Sequence, residues 1–531
     1  MGLSGRLIAQ LAGKAAKAAV KRTQEALDPD RLLQLTMEGL VETARDRHEH
    51  DPAPRWRPGE PLSLLLAGYV GSRNTGADVR VEEMIRQFRH VFGDEHVDLS
   101  ILTIDPQKTR GYFKTVKQVH VPQIFPKFLF DEVRKSHGVI ACEGSMFKSK
   151  FASALTTMMA GALGLAVAED KIAVGYGGEA GAMDASLEDM IRRTLSRGPS
   201  VTERALVLTR NEESSAILDR LGVPTRLGTD TAWTYESPHG AAGGDALSEK
   251  LLRRAGWDGR KPVLVVCPIH PFWWPVRPAP LRAAVHGLTG AYEKSHFESI
   301  YFHEEGPEVD ARFARYIAGL AGAVDDFRRA HDVFVALVGM EALDRLACER
   351  LADALERGGR PALFVSDEHE YRELVAILRR ASLIVSSRYH AVVCSMPAAV
   401  PSVGVTMDER IRNLMRDRGQ GELLLNVDDD ALDERLFTAM ERAWADPDAS
   451  RVAIERCVAR NLVRQGEMGV HLVDHVRAFH PRFPFAKHLG SSATGGDGDP
   501  IAHLPPLAAR QREILERWRD AEVGRLEDRT A

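Results

Sequence analysis

Arg388 and His390 stand two residues apart in SSRYHAVVCSM (386–396), just after the apolar run 383–386 and before a helical pattern. On an extended strand end, residues two apart face one side, so the spacing predicts a guanidinium and an imidazole in one site. Arginine can grip a carboxylate or phosphate with two parallel hydrogen bonds, and histidine can exchange a proton near neutral pH. A second chemistry-bearing stretch is GYVGSRNTGAD (68–78), following the apolar run 62–67. Gly68, Gly71 and Gly76 permit close backbone approach there, while Arg73, Asn74 and Asp78 offer a cation, an amide and a carboxylate. The same loop also reads as a tight turn capped by Asn74 or Asp78.

Both stretches sit where a buried strand gives way to a helix, the place where open α/β sheets bind ligands and where helix N-termini favour anions. Apolar runs at 62–67, 97–104, 138–142, 171–174 and 205–208 alternate with helical stretches, and a second series follows at 262–267, 333–338, 362–365, 383–386 and 402–405. This alternation predicts two Rossmann-like, doubly wound α/β domains facing across a cleft, with helical N- and C-terminal extensions. The expected organisation is a helical extension and Pro-rich linker (1–60), a first domain (61–240), a second domain (241–485), and a flexible linker with a final helix (486–531). Within the second domain, 268–310 is an insertion carrying Trp273 and Trp274 among several prolines. It is longer than a usual connection, and its tryptophans are candidates for stacking on a sugar or for packing the insertion down.

Beyond these residues, the sequence resembles the polysaccharide pyruvyl transferase family. GYVGSRNTGAD is similar to that family's GYxGxxNxGDE-type opening, and SSRYH with the following AVVCSMPAAVPSVGVTMDERIRNLM is similar to its SxRLH segment. VIACEGSMFKSKF (139–151) occupies the place of a Gly-rich motif, and VLTRNEESSAILDRLGV (207–223) resembles its RDEES segment, giving a resemblance over about 62–430. Ala77 is an extra residue before Asp78, Tyr389 replaces a leucine, and Cys142-Glu143 stand where glycines are frequent. The resemblance implies a glycosyltransferase-B-like fold and transfer of the pyruvyl group of phosphoenolpyruvate onto two hydroxyls of a sugar or polyol, forming a ketal. It implies that Arg388 binds the donor with Arg73, Asn74, Gly71, Gly76 and Ser145 around it. His390 becomes the acid or phosphate partner, and Asp78 or Glu143 the base. No metal or other cofactor is expected. A nucleotide-sugar glycosyltransferase is the alternative, with Glu368 or Glu370 for the ribose, as is a non-catalytic binding module on the same fold.

Composition excludes several other classes. A formal net charge of −5 over 531 residues gives no basic field for nucleic acid. Five scattered cysteines without CxxC spacing suit a reduced cytoplasm, and no run approaches the ~20 apolar residues of a membrane span. The opening segment is distinctive: Arg6, Lys14, Lys17, Lys21 and Arg22 precede the first acid, Glu25, while Leu3, Leu7, Ile8, Leu11, Ala15 and Ala18 share one helical face. Residues 1–25 therefore suit contact with a subunit, with the protein itself, or with the inner face of a membrane. The Ala-rich face without an aromatic anchor favours protein contact.

Overall fold

The computed structural model describes residues 28–196, 204–236, 240–279, 282–283, 285–286, 300–356, 358–489 and 499–530. The opening segment 1–27, much of the insertion and most of the Gly/Ser-rich linker 490–499 lie outside the described residues. The first sheet contains β1 (Leu62–Ala67), β2 (Val97–Thr103), β3 (Lys117–His120), β4 (Gly138–Ala141), β5 (Ile172–Gly178), β6 (Ala205–Thr209) and β7 (Thr225–Leu227). Its order is β3-β2-β1-β4-β5-β6-β7, and every pair is parallel. The second sheet contains β8 (Val263–Cys267), β11 (Phe334–Gly339), β12 (Ala362–Val365), β13 (Leu383–Ser386), β14 (Ser402–Thr406) and β15 (Leu424–Asn426). Its order is β12-β11-β8-β13-β14-β15, again parallel throughout. The insertion adds a two-stranded antiparallel ribbon, β9 (Arg277–Pro278) with β10 (Tyr301–Phe302). The two doubly wound sheets and the helical extensions expected from the alternation are what the chain forms.

Strands buried on both faces need continuous apolar runs, and β1 (LSLLLA) and β8 (VLVVC) supply them. Sequence order reverses direction between β1 and β4 in one sheet and between β8 and β13 in the other. Each reversal opens a crevice at the strand ends, because the flanking connections leave in opposite directions.

The helices that matter below are α1 (Pro29–His50), α2 (Thr75–Phe92), α3 (Ser153–Ala168), α4 (Tyr371–Arg380), α5 (Tyr389–Ser395), α6 (Glu409–Asp417), α7 (Pro447–Phe479) and α8 (Ala509–Thr530). In α1, Asp28 caps the first turn by accepting from the Asp30 N–H, and Pro29 occupies a position where no N–H is needed. α1 packs on α3, and Arg47 from α1 joins Arg134 and Lys171 around the buried Glu169. α7 leaves the second domain and crosses back onto the first. There Gln87 donates to the Gln465 carbonyl, and Thr229 meets Asn461 at 2.5 Å. Met468 lies against Gly177 and Gly228. α8 is held on α7 by the buried Glu455, which accepts from Arg510, Arg517 and Trp518. All five cysteines are buried free thiols.

Burial lowers three histidines from 6.5 to about 4: His270, His475 on α7 and His480 beside Trp56. Each ring is neutral in the folded chain down to about pH 4 but protonates near 6.5 when unfolded. The unfolded state therefore takes up protons first, and stability falls as pH drops from about 6.5 to about 4. Denaturant midpoints measured across that window should decline, with a shallower decline in a His475→Gln variant.

Candidate active site

The two crevices face each other and enclose a cavity of about 180 Å³. The loop after β1 contributes Tyr69 and Asn74, the loop after β4 contributes Glu143 and Ser145, and the stretch after β8 contributes His270, Trp273 and Trp274. Glu341 and Asp344 follow β11, Arg388 follows β13, and Met407 and Arg410 follow β14. These contributions follow the carboxyl ends of parallel strands, and Tyr301 and His303 of the insertion close one side. Phe151, Leu155 and Ile269 give the remaining wall an apolar character.

The cavity exists because the domains are pinned beside it. The Thr75 N–H donates to the Met340 carbonyl at 2.9 Å, joining the first turn of α2 to the second domain. Asn74 serves both domains: its Oδ1 accepts from the Ala77 N–H at 3.2 Å and caps α2, while its Nδ2 donates to Glu341 Oε2 at 3.0 Å. Tyr69 donates to the other Glu341 oxygen at 3.4 Å. Further along, Lys148 bonds Glu409, and Lys150 donates to the Met407 carbonyl at 3.2 Å.

Arg388 lies on the cavity wall. Its Nε donates to Asp344 at 2.9 Å and its Nη2 at 2.5 Å, and Nη2 also reaches Glu341 at 3.4 Å. Burial alone would lower its pKa, but these two carboxylates raise it, so the guanidinium is a fixed cation. Its Nη1 has no acceptor among the described residues. Arg410 is arranged alike: Nε and Nη2 fork onto Asp408 at 2.9 and 2.7 Å, with the guanidinium 4.8 Å from the Phe151 ring centroid. Two anchored guanidiniums thus share one small cavity with the hydroxyl of Ser145.

His390 does not join Arg388. Helix α5 starts at Tyr389, with Arg388 as its N-cap residue. Once the chain is helical, a two-residue step turns about 200° rather than returning to the same side. The His390 ring points into the first domain, where Nε2 lies 3.3 Å from Asp230 Oδ2 and a methyl added at Gly76 would fall 2.1 Å from Nδ1. Asp230 is fully buried and also meets Arg210 Nη2 at 2.7 Å and Arg80 Nε at 3.2 Å. Although burial alone would raise the Asp230 pKa, Arg210, Arg80 and His390 hold its carboxyl far below the usual range. Burial lowers the His390 pKa against the pull of Asp230.

Four other expected site residues lie off the cavity. Asp78 is 1% exposed on α2, and burial, with Glu82, Glu341 and Glu143 nearby, pushes its carboxyl well above the normal range despite Arg73. Of the two expected bases, Glu143 is the one that lines the cavity. Arg73 donates to the carbonyls of His369 (3.0 Å) and Asp367 (3.4 Å) in the second domain. Gly71, at φ +103°, packs where a side chain would strike Thr103 and the Asp105 backbone, and Gly76 is the surface against which His390 rests. The tryptophans do line the cavity, but Trp273 is stacked on His270 (4.3 Å, 8°) and on His303 (4.7 Å, 25°), so imidazoles occupy its stacking faces. Trp274 meets Phe151 and His303 edge to face. Glu368 pairs with Arg345 and Glu370 caps α4, each the simple charge and cap role open to it.

Sequence reasoning missed Glu341, Asp344, Arg410, His270 and the Asp230 cluster. Arg410 had a visible signal in the MDERIR stretch, and Arg210 one in the RNEES segment.

Two facing parallel α/β domains thus gather charged and polar side chains at both strand reversals, the place where open α/β sheets bind ligands. Residues 245–409 match the model of the polysaccharide pyruvyl transferase family, the family whose motifs the sequence resembles. No curated protein matches the sequence. Among solved structures, the chain is similar to Anabaena HepE in complex with UDP-glucose (10% identity, 78% of this chain and 100% of that one, TM-score 0.47). It is also similar to the UDP-GlcNAc 2-epimerase of Methanocaldococcus jannaschii (11%, 72% and 92%, TM-score 0.43). A third likeness is to a family 9 glycosyl transferase of Veillonella parvula DSM 2008 (10%, 73% and 98%, TM-score 0.35).

Asp230→Asn keeps the shape of the cluster but strands two buried arginines, and should destabilise the protein by about 3–5 kcal/mol in chemical denaturation. Gly76→Ala should displace the His390 ring and lower Tm, whereas alanine at Gly421, which faces open space, should not.

Proposed function

We propose that the chain is a transferase moving the pyruvyl group of phosphoenolpyruvate onto two hydroxyls of a sugar or polyol. The observation that carries this reading is the meeting in one cavity of Arg388, from the family-matched segment, with Asn74, Glu143 and Ser145 from the other domain. The cavity's size supports a small donor. At about 180 Å³ it falls below the ~300–1,000 Å³ typical of sites for larger ligands, and suits a compact anion better than a nucleotide sugar.

In this reading the Nη1 groups of Arg388 and Arg410 hold the donor's carboxylate and phosphate, positive charge being already fixed where the anion sits. Protonation of the methylene carbon gives an oxocarbenium-like centre. One acceptor hydroxyl attacks it, and the second then displaces phosphate. The two hydroxyl protons balance the reaction: one ends on the new methyl group and the other leaves on phosphate. Glu143 is the carboxylate on the wall that accepts a hydroxyl proton. The proton donor is assigned to His270, which faces the same cavity and is locked by stacking on Trp273. A bound dianion would raise its lowered pKa toward neutrality. His390 is then a positioning residue that holds α2 against the Asp230 cluster.

Phosphoenolpyruvate should raise Tm without added metal, and UDP-sugars should not; the reverse result, with no pyruvate incorporated into any diol acceptor, would favour the glycosyltransferase reading. Arg388→Lys, which loses the two-pronged geometry, and Arg410→Ala should each weaken donor binding roughly ten-fold or more in calorimetry. His270→Gln should lower kcat by roughly 100-fold with donor affinity nearly kept, while His390→Gln, able to bond Asp230, should lower it far less. The opposite ranking would return the proton to His390.

A further inference from the structure

We propose that the amino edge of the first sheet carries a second ligand site, one that takes a compact polyphosphate. A hollow of about 640 Å³ opens there, larger than the cavity between the domains. Trp56 enters it from the segment ahead of β1, Asp170 from just before β5, Arg204 from the residue before β6, and Phe479 and His480 from the end of α7. These are strand starts, whereas the interdomain cavity follows carboxyl ends. A seven-residue strand such as β5 spans roughly 20 Å, so the two sites are separate.

Three guanidiniums, Arg55, Arg204 and Arg482, converge on the hollow from segments remote in sequence. Among the described residues Asp170 is the one carboxylate on its wall, and it pairs with both Arg55 and Arg204. Arg482 is exposed and has no ion pair among the described residues. The end of α7 adds a negative pole of about half a charge, so that pole and Asp170 together offset only part of three full charges. His480 feels the remainder: burial, His137 and Arg55 hold its ring neutral down to about pH 4. Like charges gathered from distant segments repel unless an anion joins them. Guanidiniums arriving from several directions suit the tetrahedral oxygens of phosphoryl groups, and the unbalanced charge suits a ligand with more than one. A diphosphate esterified at both ends lacks a terminal phosphate and meets that charge less well. The hollow also falls within the ~300–1,000 Å³ of ordinary ligand sites.

Occupancy bears on how the halves are joined. His475 Nε2 lies 3.2 Å from the Arg204 carbonyl, so the last turns of α7 already rest on the segment that bears Arg204. A polyphosphate bridging Arg204 and Arg482 ties the end of α7, the helix that arrives from the second domain, to the first.

The test is calorimetry on the full chain with inorganic pyrophosphate and, separately, ADP; the tighter of the two shows whether the group is free or nucleoside-borne. Binding should weaken as salt rises and fall roughly ten-fold or more in Arg482→Glu, at unchanged Tm because that side chain is exposed. Arg55→Gln/Arg204→Gln should weaken it as well, whereas Arg388→Lys, in the other cavity, should leave it unaltered. No binding of either probe, binding that Arg482→Glu leaves intact, or binding that Arg388→Lys abolishes would overturn the proposal. Phosphoenolpyruvate affinity should be the same in Arg482→Glu as in the parent, so failure here and failure of the proposed activity are distinguishable.

Discussion

A carboxylate with no exposure to water, Asp230, stands at the junction on which the rest of the molecule depends. Arg80 reaches it from the helix after β1, Arg210 from the end of β6 and His390 from the second domain. Removing these charges from water costs several kcal/mol for each ion, and only their mutual attraction offsets it. The cluster is therefore stable only when fully assembled, and full assembly requires both domains in their observed register. Neighbouring groups extend the constraint: the Arg210 guanidinium lies 5.1 Å from the Tyr389 ring and leaves no room for a side chain at Gly144. The loop bearing Glu143 and Ser145 is thus positioned by the same arginine that neutralises Asp230.

On the other side of α5 the logic is repeated at lower burial. Arg388 is fixed by Asp344 and Glu341, and Glu341 is fixed by Asn74 and Tyr69 from the opposite domain. One short helix start divides its two chemistry-bearing residues between these networks, Arg388 toward the cavity and His390 toward the junction. Two residues of one helix start, separated only by Tyr389, thus face the cavity and the domain junction respectively.

How much of this was legible in the sequence follows from where the information lies. Central strands such as β1 and β8 announce themselves because burial on both faces demands nearly continuous apolar residues. The edge strands β3 (KQVH), β7 (TRL) and β15 (LLN) were missed, being short and partly polar. Asn74 and Arg388 stood out because they follow strand ends, where chain order predicts a site, whereas Glu143 and Ser145 came from the family resemblance; all four line the cavity. The sidedness of His390 failed on a single residue of helix boundary, the feature sequence defines least sharply. Asp78 looked available because helix position does not reveal depth. Glu341 and Asp344 read as the start of a helix, and their role emerges only when Arg388, 44 positions after Asp344, folds beside them.

The long helix α7 has a consequence for how such a chain can be divided. It belongs by sequence to the second domain, yet its Met468 fills the space beside Gly177 and Gly228 and its Gln465 bonds Gln87 and Thr234 of the first. Neither half is a self-sufficient module. A graft that exchanged the first domain for that of a relative would carry over a surface shaped for a different helix. The transferable unit is the first domain together with 447–479, a pairing of segments more than two hundred residues apart that no cut at a single linker can deliver.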